Sequence, residues 1–219
     1  MIQLRRRWLP VVTHIGALLP LTSLAWKFFH DQLTANPIQY ITFRTGKAAL
    51  VLLILSLACT PISTIFGLRQ VIGLRKPLGL YAFTYATLHF LTFVGLDYQF
   101  DPSLLQEAIF KKRYALVGFA AFLTLLPLAI TSTKGWMRRL GRKWKRLHRL
   151  IYLAGILVII HFVWLVKSDI REPLAYGAVV GLLLTLRLTP VKKALVNLRE
   201  RLASRIRGCD TVAFPKDFN

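Results

Sequence analysis

Long uncharged stretches alternate with short charged clusters along almost the whole of this sequence. Five of the stretches hold 17 to 21 residues, which at about 1.5 Å per residue is enough for a helix to cross the hydrocarbon of a bilayer. A sixth has 14 residues, and the long side chain of Arg187 at its end can extend it by reaching the membrane surface. The pattern predicts an all-α integral membrane protein, a bundle of six transmembrane helices at 8–26, 48–68, 77–96, 114–133, 150–166 and 173–186.

Prolines interrupt several of these predicted spans. Pro10, Pro20, Pro61 and Pro127 lie within them or near their ends. Proline lacks the backbone donor that a helix needs, but in a bundle a neighbouring helix can satisfy the carbonyl that is left free. The prolines therefore predict kinked helices and not broken ones.

The composition is that of a membrane protein and excludes two other classes. Of the 219 residues, 55% are hydrophobic and 18% charged, with a mean hydropathy of +0.50, which is too apolar for an ordinary soluble domain. The net charge of +21 invites a nucleic-acid-binding role, but the cations sit in short clusters between apolar runs and form no such motif. Cys59 and Cys209 have neither metal-ligand nor disulfide spacing.

Lysine and arginine are unevenly distributed across the predicted membrane. The side with the N-terminus, the second-to-third loop, the fourth-to-fifth loop and the tail holds 22 of the 30. By the positive-inside rule, both termini are cytoplasmic. We expect a basic N-terminus at 1–7 that precedes a retained span and not a cleaved signal, a transmembrane domain at 8–189, an amphipathic basic helix at 190–207 and a disordered tail at 208–219.

Two histidines lie in predicted spans that run in the same direction. His89 is eight residues before Asp97 and His161 is six before Lys167, so both imidazoles lie at similar depth in the outer half of the bilayer. An imidazole in hydrocarbon is costly unless its nitrogens are used, and two facing helices can ligate one haem iron. The simpler alternative is a histidine that hydrogen-bonds a neighbouring carbonyl. We predict that His89 and His161 hold one haem between them.

A third histidine, His148, precedes the fifth span on the cytoplasmic side, where the residues at its level on the third helix are Arg75 and Lys76. His148 can ligate a second haem together with a non-histidine ligand or with His14. It can equally hold a haem propionate, a flavin phosphate or a lipid, because arginine and lysine donate hydrogen bonds but offer iron no lone pair. The role of His148 stays open on these grounds, whereas His30, beside Asp31, is expected to be a solvated loop residue.

Three segments carry a resemblance to a known family. They read FRTGKAALVLLILSLACTPI (43–62), LGLYAFTYATLHF (78–90) and LAITSTKGWMRRLGRKWKRLHRLIYL (128–153). Together they resemble the ferric-reductase-like transmembrane family, and within it the haem-binding membrane subunits of bacterial periplasmic methionine sulfoxide reductase systems. The similarity extends from about residue 8 to residue 196.

The resemblance implies a six-helix cytochrome b in the inner membrane, with one or two haem b groups and no catalytic site of its own. It implies electrons taken from the quinone pool, a cytosolic flavin reductase or bound FMN, and passed to a periplasmic molybdopterin-containing reductase that repairs methionine sulfoxide. The haem histidines of the family match His89, His148 and His161. Arg75 stands where wider NADPH-oxidase-like relatives have a second helix-three histidine, and no flavin/nicotinamide domain follows helix six, so a separate reductant is implied.

Two other functions compete with an electron relay. A free-standing ferric or oxygen reductase would need an open haem edge and activity without a periplasmic partner. A non-redox scaffold or transporter would carry these histidines by coincidence, and its purified form would show no haem absorption.

Two basic segments on the predicted cytoplasmic side are candidate surfaces. Between 190 and 207, apolar residues recur every three or four positions with cations between them, which predicts an amphipathic helix that lies on anionic lipid or in solvent. The loop 132–149 holds eight cations together with Trp136 and Trp144. It can anchor in lipid headgroups, dock an acidic flavoprotein or hold a flavin phosphate.

Overall fold

The computed structural model describes residues 5–166 and 169–209, and the side chains of 8–166 and 169–201. These residues form ten α-helices and no strand. Most of the predicted tail, from 210 onward, lies outside the described residues, as do residues 1–4 of the predicted N-terminus. The helices are α1 Arg5–Phe29, α2 Pro37–Phe66, α3 Arg75–Leu91, α4 Pro102–Lys111, α5 Arg113–Ile130, α6 Lys134–Leu140, α7 Arg142–Leu147, α8 Leu150–Leu165, α9 Arg171–Thr185 and α10 Thr189–Cys209.

Five of the helical segments are long and apolar enough to cross a membrane, and α9 with α10 makes a sixth that bends by 76°. The predicted all-α multi-pass architecture is thereby confirmed. The bounds differ most at α2, which begins at Pro37, eleven residues before the predicted span. Arg44 and Lys47 had ended the uncharged run in the sequence, but both lie within the helix, where long cationic side chains can reach the membrane surface.

The core of the bundle forms around α2. α3 packs closely on α2, and α8 packs in the same way on α5. Small residues at these contacts let the helix backbones approach, and Ala82 of α3 and Ala154 of α8 are almost fully buried. Leu57 and Cys59 of α2 are buried in the same cluster. Successive long helices run in opposite directions, so the bundle has a basic end, where α1 starts and α6 and α7 lie, and an opposite end.

A neighbouring segment satisfies the carbonyl that Pro61 leaves free, as predicted. Pro61 cannot donate to the Leu57 carbonyl, and the Arg187 guanidinium, from the corner between α9 and α10, donates to that oxygen instead. Beside Pro20, the Tyr85 hydroxyl donates to the Ala17 carbonyl at 2.7 Å and accepts from the Leu21 amide at 3.1 Å. The hydroxyl thus stands between two groups that are one helical turn apart in α1.

Two segments that the sequence predicted to be loops, 97–113 and 132–149, contain helices. α4 lies within the predicted loop 97–113, and the Asp101 carboxylate caps it by accepting from the amides of Ser103 and Leu104. These bonds, with one from the Ser103 hydroxyl, lower the pKa of the Asp101 carboxyl. The basic loop 132–149 is mostly the two short helices α6 and α7, which meet at Gly141, where φ is +48°.

The predicted amphipathic helix after residue 189 is present as α10. An Arg199 guanidinium nitrogen donates to the Thr64 carbonyl at 3.2 Å, which ties α10 to the basic end of α2. Its contact with lipid stays a prediction.

Candidate functional site

The structure brings His89 of α3 and His161 of α8 together. Their ring centroids are 6.1 Å apart and the ring planes are nearly perpendicular, at 84°. The expectation that the two imidazoles share one depth is therefore met, and the rings also face each other, which spacing alone could not establish.

Each imidazole is held from behind by a backbone carbonyl. His89 Nδ1 lies 2.9 Å from the Thr42 oxygen on α2, and His161 Nδ1 lies 2.7 Å from the Tyr114 oxygen on α5. A carbonyl only accepts, so Nδ1 carries the proton in both rings. The neutral ring then has its lone pair on Nε2, the arrangement that protein metal sites use to orient a histidine ligand.

Two glycines make room for these rings. A Cβ built on Gly46 would lie 3.0 Å from His89 Nδ1, and one on Gly118 would lie 2.6 Å from His161 Nδ1. Each glycine sits one helical turn after the residue whose carbonyl holds the ring. Any larger residue at these positions would push the imidazole away from its carbonyl.

The two halves of the site repeat each other in the sequence. The segments GKAA (46–49) on α2 and GFAA (118–121) on α5 lie 72 positions apart, as do the two histidines and the two buried alanines, Ala82 and Ala154. Both histidines lie 47 positions after their carbonyl partners. The hairpin of α2 and α3 and the pair of α5 and α8 therefore present imidazoles in the same way. Sequence reasoning missed the carbonyls and glycines, although this repeat was available as a signal.

The geometry of the pair fits a metal held between the rings. With metal–imidazole bonds of about 2 Å, two rings on opposite sides of one ion have centroids about 6 Å apart. The observed separation matches this value. The free Nε2 atoms supply the donors, and the glycine cradles and carbonyls hold the rings in place.

Aromatic rings form the wall between α3 and α5 beside this pair. Phe90, the neighbour of His89, stacks on Phe122 at 4.8 Å and on Phe119 at 5.9 Å, and Phe83 stacks on Phe122 at 5.7 Å. The stacked rings lie nearly parallel and are apolar, which suits a macrocycle.

His148 has a different environment at the basic end. Its Nε2 lies 3.2 Å from the Thr131 hydroxyl, which itself donates to the Pro127 carbonyl, so the imidazole donates to the threonine. Trp144 lies against the ring at 4.0 Å between centroids and donates its indole N–H to the Thr131 carbonyl. His14, a suggested partner for His148, instead bonds the Tyr81 hydroxyl at 2.9 Å.

Arg75 lies near His148, and its positive charge acts on the imidazole. It also acts on Arg187, so two guanidinium groups share the basic end of the bundle. Among the described residues, neither guanidinium has a carboxylate within ion-pairing distance. This combination suits an anionic group, as the sequence suggested for Arg75. Lys76 is exposed, and His30 is an exposed residue that bonds the Trp26 carbonyl, as expected.

The sequence matches the ferric reductase like transmembrane component family over residues 45–159, a range that includes Gly46, His89, Gly118 and His148. The chain belongs to the ferric reductase-like transmembrane family. This membership, with the apolar helices, makes it a multi-pass membrane protein.

Similar curated proteins within this family share one name, protein-methionine-sulfoxide reductase heme-binding subunit MsrQ. That of Xanthomonas axonopodis pv. citri is 49% identical over 179 residues, which is 79% of this chain and 82% of the relative. That of Rhodospirillum rubrum is 42% identical over 181 residues, or 82% of this chain and 87% of the relative. No solved structure matches the chain.

Proposed function

We propose that this chain is a b-type cytochrome, the haem-binding membrane subunit of a protein-methionine-sulfoxide reductase, and that it relays electrons without a catalytic site of its own. The observation that carries the proposal is the facing pair of His89 and His161, with both Nδ1 atoms bonded to carbonyls. The name of its relatives supports the haem and the reductase system.

In this proposal, Nε2 of His89 and Nε2 of His161 would hold the iron of one haem b. The Thr42 and Tyr114 carbonyls keep each ring in the required tautomer, and Gly46 and Gly118 keep it in position. The haem supplies reversible one-electron transfer. Two imidazoles leave the iron no open position, which favours a relay over oxygen or substrate chemistry and argues against a free-standing oxygen reductase.

At the basic end we propose that His148 and Arg75 bind a second cofactor group. Arg75 suits a haem propionate or the phosphate of FMN, because a guanidinium can donate two parallel hydrogen bonds to such an anion. His148 as a ligand of a second haem stays a prediction. With the proton on Nε2 in its bond to Thr131, the lone pair of the neutral ring is on Nδ1, which would be the atom that binds iron.

The proposed electron donor and electron acceptor rest on the family resemblance. We propose quinol or a cytosolic flavin reductase as the donor, and a periplasmic molybdopterin-containing methionine sulfoxide reductase as the acceptor. The distribution of 22 of 30 lysines and arginines supports an inner-membrane orientation with the basic end in the cytoplasm. The paired histidines then lie on the periplasmic side, near the acceptor.

Haem quantification by pyridine haemochrome tests the proposal on purified, detergent-solubilised protein. We expect His89→Ala and His161→Ala each to abolish the haem held by the pair, together with its reduced Soret and alpha bands. The matched control is His30→Ala, which removes an exposed imidazole at the same end of the bundle. Unchanged haem content in both variants of the pair would refute the assignment.

A further inference from the structure

A groove runs between α1 and α2 on the side of the bundle away from α5 and α8. Its volume is about 530 Å³, and it is lined by small and apolar side chains, among them Gly16, Ala17, Val51 and Leu55. Gly16 faces open space, since a Cβ placed there would meet no described atom within 4 Å. An apolar groove of this size offers dispersion contacts along both walls to a chain that lies in it.

Side-chain hydrogen bonds tie α1 to both α3 and α2. Tyr81 and Tyr85 of α3 bond His14 and the α1 backbone, and Lys27 donates to the Tyr40 hydroxyl at 3.0 Å. Only 6% of the most apolar stretch of α1 is buried, against 44% for α2. α1 therefore contacts α2 and α3 but leaves most of its apolar surface without protein contact among the described residues.

Cations stand at one mouth of this groove. Arg44 and Lys47 of α2 line it at the end away from the basic end of the bundle. Lys47 is paired with Glu172, whereas Arg44, whose guanidinium lies 6.0 Å from the centre of the Tyr40 ring, has no carboxylate within ion-pairing distance among the described residues. The mouth thus carries a positive charge that the described protein does not neutralise.

The groove is long enough to take a hydrocarbon chain from one leaflet. Its lining on α2 runs from Arg44 to Ile62, about 27 Å of helix, and one leaflet of hydrocarbon is about 15 Å thick. A headgroup beside Arg44 would therefore place its acyl chain along the apolar wall to about the level of Leu55.

We propose that the groove binds one anionic phospholipid, with the headgroup phosphate at Arg44 and Lys47 and an acyl chain between α1 and α2. The phosphate accepts charge-assisted hydrogen bonds from the guanidinium and the ammonium. The chain supplies the contacts that α1 does not make with protein, so the lipid fastens α1 to the bundle. This site is independent of the histidine pair and of the proposed electron relay.

Native mass spectrometry can test the site on the full chain, reconstituted in nanodiscs that contain phosphatidylglycerol and phosphatidylcholine and then released into detergent. We expect the wild-type protein to keep one phosphatidylglycerol. Gly16→Leu, which fills the groove, and Arg44→Gln, which removes the headgroup contact, should each lower that retention about tenfold. If Gly16→Leu does not fold, Arg44→Gln decides the question alone.

Two variants serve as matched controls. Gly181→Leu changes another glycine with open space around it, on α9, and Arg113→Gln removes a cation from the same end of the bundle but outside the groove. Both should retain the lipid. Equal retention in all variants, retention of detergent alone, or recovery of an isoprenoid molecule in place of a phospholipid would overturn the proposal. Haem content measured in the same samples reports on the histidine pair separately.

Discussion

The two histidine regions of this bundle differ in what holds the imidazole. At the end away from the basic end, His89 and His161 each donate from Nδ1 to a carbonyl of a neighbouring helix, which leaves Nε2 free, and their rings are neighbours. At the basic end, His148 donates from Nε2 to a threonine hydroxyl and lies against Trp144. The first region pairs two imidazoles with free Nε2 atoms, and the second has an engaged Nε2 and no facing imidazole among the described residues.

The internal repeat explains this difference. Counting back 72 positions from His161 reaches His89, but counting back 72 from His148 reaches Lys76. The two hairpins therefore place equivalent residues opposite each other, and only one level of the bundle receives an imidazole from both. A cation at the second level makes it more suitable for an anion than for a second bis-histidine haem. The partners of a histidine, more than its presence in a span, therefore distinguish a metal ligand from a residue that binds an anionic group.

Apart from removal of the two imidazoles themselves, the largest effect is expected from the glycines behind the histidine pair. Gly118→Ala puts a methyl group 2.6 Å from His161 Nδ1, so the ring has to leave its carbonyl, and haem occupancy should fall about tenfold or more. Gly46→Ala, with 3.0 Å to His89, should cost several-fold less. Haem content per chain measures both. Alanine favours a helix over glycine by about 1 kcal/mol, so a loss cannot come from helix propensity. Full haem content in both variants would show that the imidazoles do not need these carbonyls to bind haem.

A smaller effect is expected from His148→Ala. If His148 is an iron ligand, part of the haem is lost, and if it positions an anionic cofactor, all haem stays but reduction by the cytoplasmic donor fails. Haem content and donor-driven reduction, measured side by side, separate the two outcomes. A variant equal to the wild type in both measurements would rule out a redox role for this residue.

The smallest effect is expected from Thr131→Val, which keeps the shape of the side chain but removes the hydroxyl that accepts from His148. We expect unchanged haem content and a reduction rate lowered only a few-fold, because the ring loses an orienting bond worth about 1 kcal/mol. Optical spectra and stopped-flow reduction check this. A gain of haem would show instead that Thr131 keeps His148 from binding iron, and the two regions would then be alike.

Counting uncharged residues was enough to predict the spans and the common depth of His89 and His161. It could not predict their anchors, because a backbone carbonyl is present at every residue and has no signature in the sequence. It also could not predict that the Arg187 guanidinium donates to the Leu57 carbonyl, which Pro61 leaves free. Likewise, α4 is too short to be predicted as a membrane span, but its cap, Asp101, stabilises it as a helix. Local chemistry of this kind depends on which helices become neighbours.

The bond between Tyr85 and α1 has a consequence for biosynthesis. Tyr85 is 68 residues downstream of Ala17, so α1 leaves the ribosome well before the hydroxyl that bridges its backbone has been made. The hydrogen bonds that Tyr85 makes with Ala17 and Leu21 can therefore form only after α3 has been made, so α1 gains these contacts later than it is translated.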